Sequence, residues 1–380
     1  MNHIYADHAA TTKISETAKQ AMIACMDEYY GNPSSLHTVG QRAAEQLLKA
    51  RETVADLLGA DPKEIYFTSG GSEADNQAIL SAAYFGKGKG KTHILSTAFE
   101  HHAVLHTLKK LEKEGFEVTL LDVHENGIVT PEQVADAIRK DTALVTIMYA
   151  NNEIGTIQPI REIGAICRGN GVIFHTDAVQ AVGHIPVNVE KDNIDMLSLS
   201  GHKFRGPKGV GLLYARRGMP LVNVIEGGAQ ERGKRAGTEN LPAIAGMAAA
   251  LQEATEQLEQ EMPRISAMRD QLIAGLSQIP RSRLNGDREH RLPGTVNFVF
   301  EGVEDEMMLL QLDARGIAAS SGSACTAGSL EPSHVLLALG LPIEIARSSL
   351  RLSIGAENTP EEMEYIVKTV KEVVAQLRGE

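Results

Sequence analysis

The chain has 380 residues, 43% hydrophobic and 23% charged, the balance of a folded protein of two or three domains and not of a disordered one. Its 37 basic against 49 acidic side chains give a net charge of −12, which argues against nucleic acid as a partner. Three cysteines exclude a disulfide framework, and the start Met1–Asp7 has neither the basic nor the apolar region of a secretory signal. The longest apolar stretch, Leu241–Leu251, is short of the ~18 residues that span a bilayer. A soluble protein of a reducing, cytoplasmic compartment is expected.

Short β-branched runs at Ile65–Thr68, His93–Ser96, Val118–Asp122, Leu144–Tyr149, Val172–Thr176, Met196–Ser200 and Gly209–Tyr214 read as strands. Helical periodicity occupies 73–84, 102–114, 131–139 and 160–168 between them. This alternation predicts an α/β fold, a mostly parallel sheet covered by helices, with ligands bound at the carboxyl ends of the strands. A long helix follows from Asn240 to about Ile279. After Pro280 come short strands (Thr295–Phe300, Ile317–Ser320, Ser348–Ile354) and a charged helix from about Pro360. The expected division is a large α/β domain at 16–255 and a smaller α+β domain at 256–380, with residues 1–15 packing near the latter.

The segment Ser200–Gly209 begins where an apolar strand ends, so Lys203 can project into the ligand crevice, where a desolvated amine becomes a nucleophile. Ser200 and His202, beside it, are suited to a phosphate. The same lysine is also readable as a solvated residue of a Gly-Pro turn, like Lys208. Asp177 ends the preceding strand, placed either to pair a heterocyclic nitrogen or to cap a helix. The small residues Thr68–Ser72 lie between strand and helix, where backbone N–H groups meet an anion, although no P-loop or GxGxxG pattern is present. Amine, ring-pairing carboxylate and phosphate cradle converge on pyridoxal phosphate. Glu100-His101-His102 and His37 lack metal-ligand spacing, so no metal is expected.

The cysteines separate by context. Cys167 shares a helix face with Ile160 and Ile163, and Cys25 shares one with Met22 and Met26; both read as core residues. Cys325 sits among the small residues Ser320–Ser329 with no apolar periodicity, either an incidental thiol or a functional one. A functional thiol beside a pyridoxal site points to sulfur chemistry.

Over essentially its whole length the chain resembles the group I cysteine desulfurases (NifS/IscS type), fold-type I pyridoxal-phosphate enzymes of the class-V aminotransferase family. The matching segments are Asp7–Thr12, Gly31–His37, Glu100-His101, Asn151–Glu153, His175–Gln180, Ser200–Lys203, Arg235–Asn240 and Ser320–Leu330. The resemblance implies that Lys203 bonds the cofactor, Asp177 its ring nitrogen and Gln180 its phenolic oxygen. His101 would stack on the ring and assist proton transfer. Gly71, Ser72, Ser200 and His202 would hold the phosphate, joined by Thr238 of the second subunit of a homodimer. Asn152 and Arg351 would hold the carboxylate of L-cysteine, and Cys325 would accept its sulfur as a persulfide. Delivery would go to a sulfur-acceptor protein of iron–sulfur cluster assembly or of tRNA or cofactor thiolation. A selenocysteine lyase or an aminotransferase would use the same cofactor without needing Cys325. Arg205 stands where the family pattern leads one to expect an aromatic or imidazole side chain, and Ser72 where Thr is more usual.

Overall fold

The computed structural model describes residues 3–322 and 332–380. In chain order its strands are β1 (Ile4–Tyr5), β2 (Ile65–Thr68), β3 (His93–Thr97), β4 (Glu117–Leu121), β5 (Thr142–Thr146), β6 (Ile173–Asp177), β7 (Met196–Ser200), β8 (Gly211–Ala215), β9 (Ser282–Leu284), β10 (Thr295–Phe300), β11 (Ile317–Ala318) and β12 (Ser349–Ser353). The order β2-β8-β7-β6-β5-β3-β4 forms a seven-stranded sheet, parallel except that β8 runs against both neighbours. Every residue of β3, β5, β7 and β8 is buried, as continuous apolar runs covered on both faces require. β2, β7 and β10 match the predicted strands residue for residue. β5 starts two residues early, and its edge runs on through Ile147 and Tyr149, whose N–H groups donate to His175 and Asp177 carbonyls.

Two helices precede residue 65: Glu16–Glu28, which contains the helix face expected around Cys25, and Thr38–Leu58, which the sequence reading does not contain. The second buries Ala43, Leu47, Ala50, Val54 and Leu58 along one stripe. Its start is capped by the His37 ring, whose Nδ1 accepts from Gly40 N, so the usual Ser/Thr/Asp signal is missing. Cys25 and Cys167 are buried as expected, but Met26, expected beside Cys25, is half exposed at 53% because the stripe of its helix narrows there.

One core packs Phe99, Phe174, Leu197, Leu212 and Met247 on one side of the sheet, and another packs Ile79, Leu108, Leu144 and Leu213 on the opposite side. A third lies on the smaller antiparallel sheet β12-β10-β9 and contains Met268, Leu272, Phe298, Leu350, Leu352 and Ile366 together with Ile4 and Ala6. The helix Leu241–Leu276 serves both regions. It buries Leu241–Leu251 in the first core and Met268–Leu276 in the third, with Pro263 in the intervening stretch. Among the described residues no helix is long and apolar enough to cross a membrane.

Candidate active site

The carboxyl ends of β2, β6 and β7 open into one cavity of about 610 Å³. Its lining includes Gly71, Ser72, His101, Asn152, Asp177, Gln180, Ser200, His202, Lys203 and Arg351, so ten residues picked from the sequence converge on one space. Lys203 follows β7 in a single turn of 3-10 helix, and its Nζ donates to the carbonyls of Ala9 at 2.6 Å and Ala10 at 2.9 Å. Gln180 Nε2 donates to the same Ala9 oxygen at 3.0 Å. The segment Asp7–Thr12 thus forms one wall, with Thr11 Oγ1 3.1 Å from His202 Nδ1. Burial, then Lys203, hold His202 down at about 4, leaving it a neutral imidazole at neutral pH.

Asp177 is buried at the end of β6, and its Oδ1 accepts from Val179 N at 2.9 Å. The helix-cap alternative therefore has a grain of truth, since the carboxylate does take one backbone N–H. Burial nevertheless pushes it up to about 6, against the pull of that bond and of Lys203. His101 caps the helix His102–Lys113: its Nδ1 accepts from Ala103 N at 3.1 Å, so the neutral ring carries its proton on Nε2. Burial and Lys203 press its pKa to about 4.

The helix Gly71–Lys87 begins at Gly70 with no side-chain cap, so its amino end meets the cavity without an internal acceptor. A Cβ on Gly71 would lie 2.7 Å from Val179 Cγ2, so glycine here leaves room for the Val179 side chain. This uncapped end, with the Ser72, Ser200 and His202 side chains around it, fits a phosphate. The buried Asp177 carboxyl fits a protonated ring nitrogen, and the Lys203 amine fits an aldehyde, so the residues present fit pyridoxal phosphate.

Arg351, on β12, is 1% exposed; its Nη2 donates to Asp7 Oδ1 at 2.8 Å and its Nη1 to the Asn152 carbonyl at 3.1 Å. Thr238 is exposed and does not line this cavity, although its segment is tied nearby through Arg235 Nε to Glu73 Oε1 at 2.9 Å. Cys325 lies outside the described residues.

Several groups here were given no role in the sequence reading. Asp75 lines the cavity one helical turn beyond Gly71 and Ser72, a 3.6-residue spacing that marks the site-facing side of that helix. Its Oδ1 has no hydrogen-bond partner, and burial with Asp177 and Glu100 nearby raises its carboxyl well above the ordinary range. His175 Nε2 is 3.6 Å away, but burial holds that ring down at about 3, so the contact is not an ion pair. Glu100 accepts from Thr97 Oγ1 at 2.7 Å and Met148 N at 3.0 Å, and burial pushes it up to about 8. Glu153, buried and bonded to Ser333 Oγ, is likewise raised by burial, with His334 and Arg351 pulling it down.

The aminotransferase class-V family pattern matches residues 4–366, and the chain belongs to that family, whose members depend on pyridoxal phosphate. Within it, the chain is 52% identical over 376 residues to a protein of Methanosarcina thermophila named cysteine desulfurase IscS, covering 99% of this chain and 93% of that one. It is 46% identical to the putative cysteine desulfurase IscS 1 of Bacillus subtilis, covering 99% and 100%. Among solved structures, a NifS-like protein superposes with a TM-score of 0.92 at 38% identity, covering 98% of this chain and 100% of that chain. The fold is accordingly the α/β fold of the NifS-like pyridoxal-phosphate enzymes.

Proposed function

We propose that the chain is a cysteine desulfurase whose net reaction is L-cysteine plus the Cys325 thiol giving L-alanine plus a persulfide on Cys325. The observation that carries this reading is the convergence of Lys203, Asp177 and Arg351, an amine, a ring-pairing acid and a carboxylate clamp, on one cavity. The full-length relatives named cysteine desulfurase select the reaction among those this site supports. Bound pyridoxal phosphate supplies an electron sink for charge developing at the substrate Cα. The Lys203 amine would act as the base that takes the substrate Cα proton and as the acid that returns it. Asp177 would hold the proton on the ring nitrogen, and Gln180 would orient the phenolic oxygen. The neutral His101 would stack on the ring and assist proton transfer through Nε2–H. The amino end of the helix Gly71–Lys87 with Ser72, Ser200 and His202 anchors the phosphate. Asn152 and Arg351 hold the substrate carboxylate, where a guanidinium offers directional donors. The Cys325 thiolate takes the sulfur, which separates removal from delivery.

The protein acts as a homodimer in this reading, with Thr238 completing the phosphate site of the other subunit. Two observations support it: Thr238 does not line its own cavity, and the first two helices and their connection expose Ile23, Met26, Tyr30, Leu36 and Leu48. The separate packing of the third core supports a boundary near residue 255 between a large domain at 16–255 and a small one at 256–380. A sulfur-acceptor protein in the cytoplasm completes the cycle. Incubation with L-cysteine and a thiol reductant should give alanine and sulfide in equal amounts. A keto acid in place of alanine would overturn the desulfurase reading in favour of an aminotransferase.

A further inference from the structure

Arg351 is reached by two protein acceptors from different parts of the chain. Nη1 donates to the Asn152 carbonyl and Nη2 to Asp7 Oδ1, while Nε has no hydrogen-bond partner and is shielded from solvent. Glu153, the other acid that acts electrostatically on this guanidinium, is committed to Ser333 and raised by burial, so Asp7 is the partner in direct ion contact. Asp7 is itself fixed. His8 N donates to the Ser353 carbonyl at 3.1 Å, Ser353 N to the Ala6 carbonyl at 2.8 Å, and Ala9 N to Ser353 Oγ at 2.8 Å. Two residues beyond Asp7, the Ala9 carbonyl takes the Lys203 ammonium.

We propose that Asp7 is a positioning residue for the substrate carboxylate: it fixes the plane of the Arg351 guanidinium so that the remaining N–H groups meet the α-carboxylate in one orientation. The inference rests on the reading of Arg351 as the carboxylate clamp of an α-amino acid enzyme. A charge-assisted bond at 2.8 Å restricts the rotation of a planar fork, and the ordering is then complete before substrate arrives. Because Asp7 lies on the strand-like segment that also holds Lys203, the carboxylate and the amino group of one substrate are referred to the same short stretch of backbone.

The test compares L-alanine with ethylamine, which differ by the carboxylate, as ligands of the cofactor-loaded protein followed by its visible absorbance. Asp7→Ala should weaken L-alanine about tenfold, the effect of losing one ordered charged contact, and leave ethylamine within about twofold. Its KM for L-cysteine should rise with kcat nearly unchanged. Asp7→Asn, which keeps an acceptor oxygen, should restore L-alanine binding to within about threefold of the wild type. Equal weakening of both ligands, unchanged or tighter alanine binding in Asp7→Ala, or an Asp7→Asn as weak as Asp7→Ala would each overturn the proposal. Alanine binding requires no sulfur chemistry, so a wild type that releases no sulfide would sink the proposed function and leave this test standing.

Discussion

Replacing Asp177 with Asn removes one titration from the cavity while keeping an oxygen to accept from Val179 N. In the protein alone burial raises this carboxyl to about 6. The anion that pairs the ring nitrogen is then roughly nine-tenths populated at about pH 7 and one-tenth at about pH 5. If the cofactor binds the anionic form, its apparent affinity falls about tenfold across that interval, and stays flat above it. The groups around Asp177 do not mimic this slope. Glu100, pushed up to about 8, and Asp75, raised well above its ordinary range, stay mainly protonated throughout. His101 and His202, held at about 4, stay mainly neutral. The phosphate of the cofactor titrates nearby, but equally for wild type and variant. Equilibrium binding of pyridoxal phosphate to apoprotein should therefore show a wild-type to Asp177→Asn affinity ratio that drops about tenfold from about pH 7 to about pH 5. A ratio independent of pH would refute the assignment of Asp177 as the ring partner.

Lys203→Ala should abolish desulfuration while Lys208→Ala keeps it; the reverse pattern, read by alanine release, would reassign the amine. Cys325→Ser should keep the resting cofactor spectrum and still respond to L-cysteine as the wild type does, yet make no alanine, since a hydroxyl is a far poorer nucleophile toward sulfur than a thiolate, whereas Cys25→Ser and Cys167→Ser should remain active. Mass spectrometry finding the extra sulfur on Cys25 or Cys167 would contradict this. Glu231 forms a two-point ion pair with Arg51 at 2.7 and 2.8 Å and also accepts from Phe67 N. Glu231→Ala should cost about 3–5 kcal/mol in urea unfolding, because it strands a buried guanidinium, and a loss under about 1 kcal/mol would show that water repairs the site.

The inner strands of the sheet were legible because they are buried on both faces and so read as near-continuous apolar runs. Lys203, Asp177 and Ser200 were legible for a related reason: Asp177 and Ser200 end such strands, and Lys203 stands three residues past one. The helix Thr38–Leu58 was hidden by an imidazole cap and by a stripe rich in alanine. Asp7, Asp75 and Glu100 carry no local signal of their chemistry. Their roles come from contacts across 344 residues for Asp7, and from burial that only the folded chain creates for the other two. Periodicity detects which side faces the core, but a carboxyl facing a polar cavity looks the same as one facing water.

The helix Leu241–Leu276, about 54 Å long at ~1.5 Å per residue, is a single beam with each end set in a different core. Its span between Leu251 and Met268 holds no buried residue, and Pro263 within that span removes one backbone donor from the ladder. Bending stiffness is therefore lowest in this middle stretch, which is held from the side by Arg264 donating to the Ala356 and Asn358 carbonyls. Lys203 belongs to one end of the beam and Arg351, between Leu350 and Leu352, to the other. Flexure there translates into a change of the gap between the two side chains that grip opposite ends of one small molecule. The segment Asp7–Thr12, bonded to both, acts as a tie between them and limits how far that gap can open.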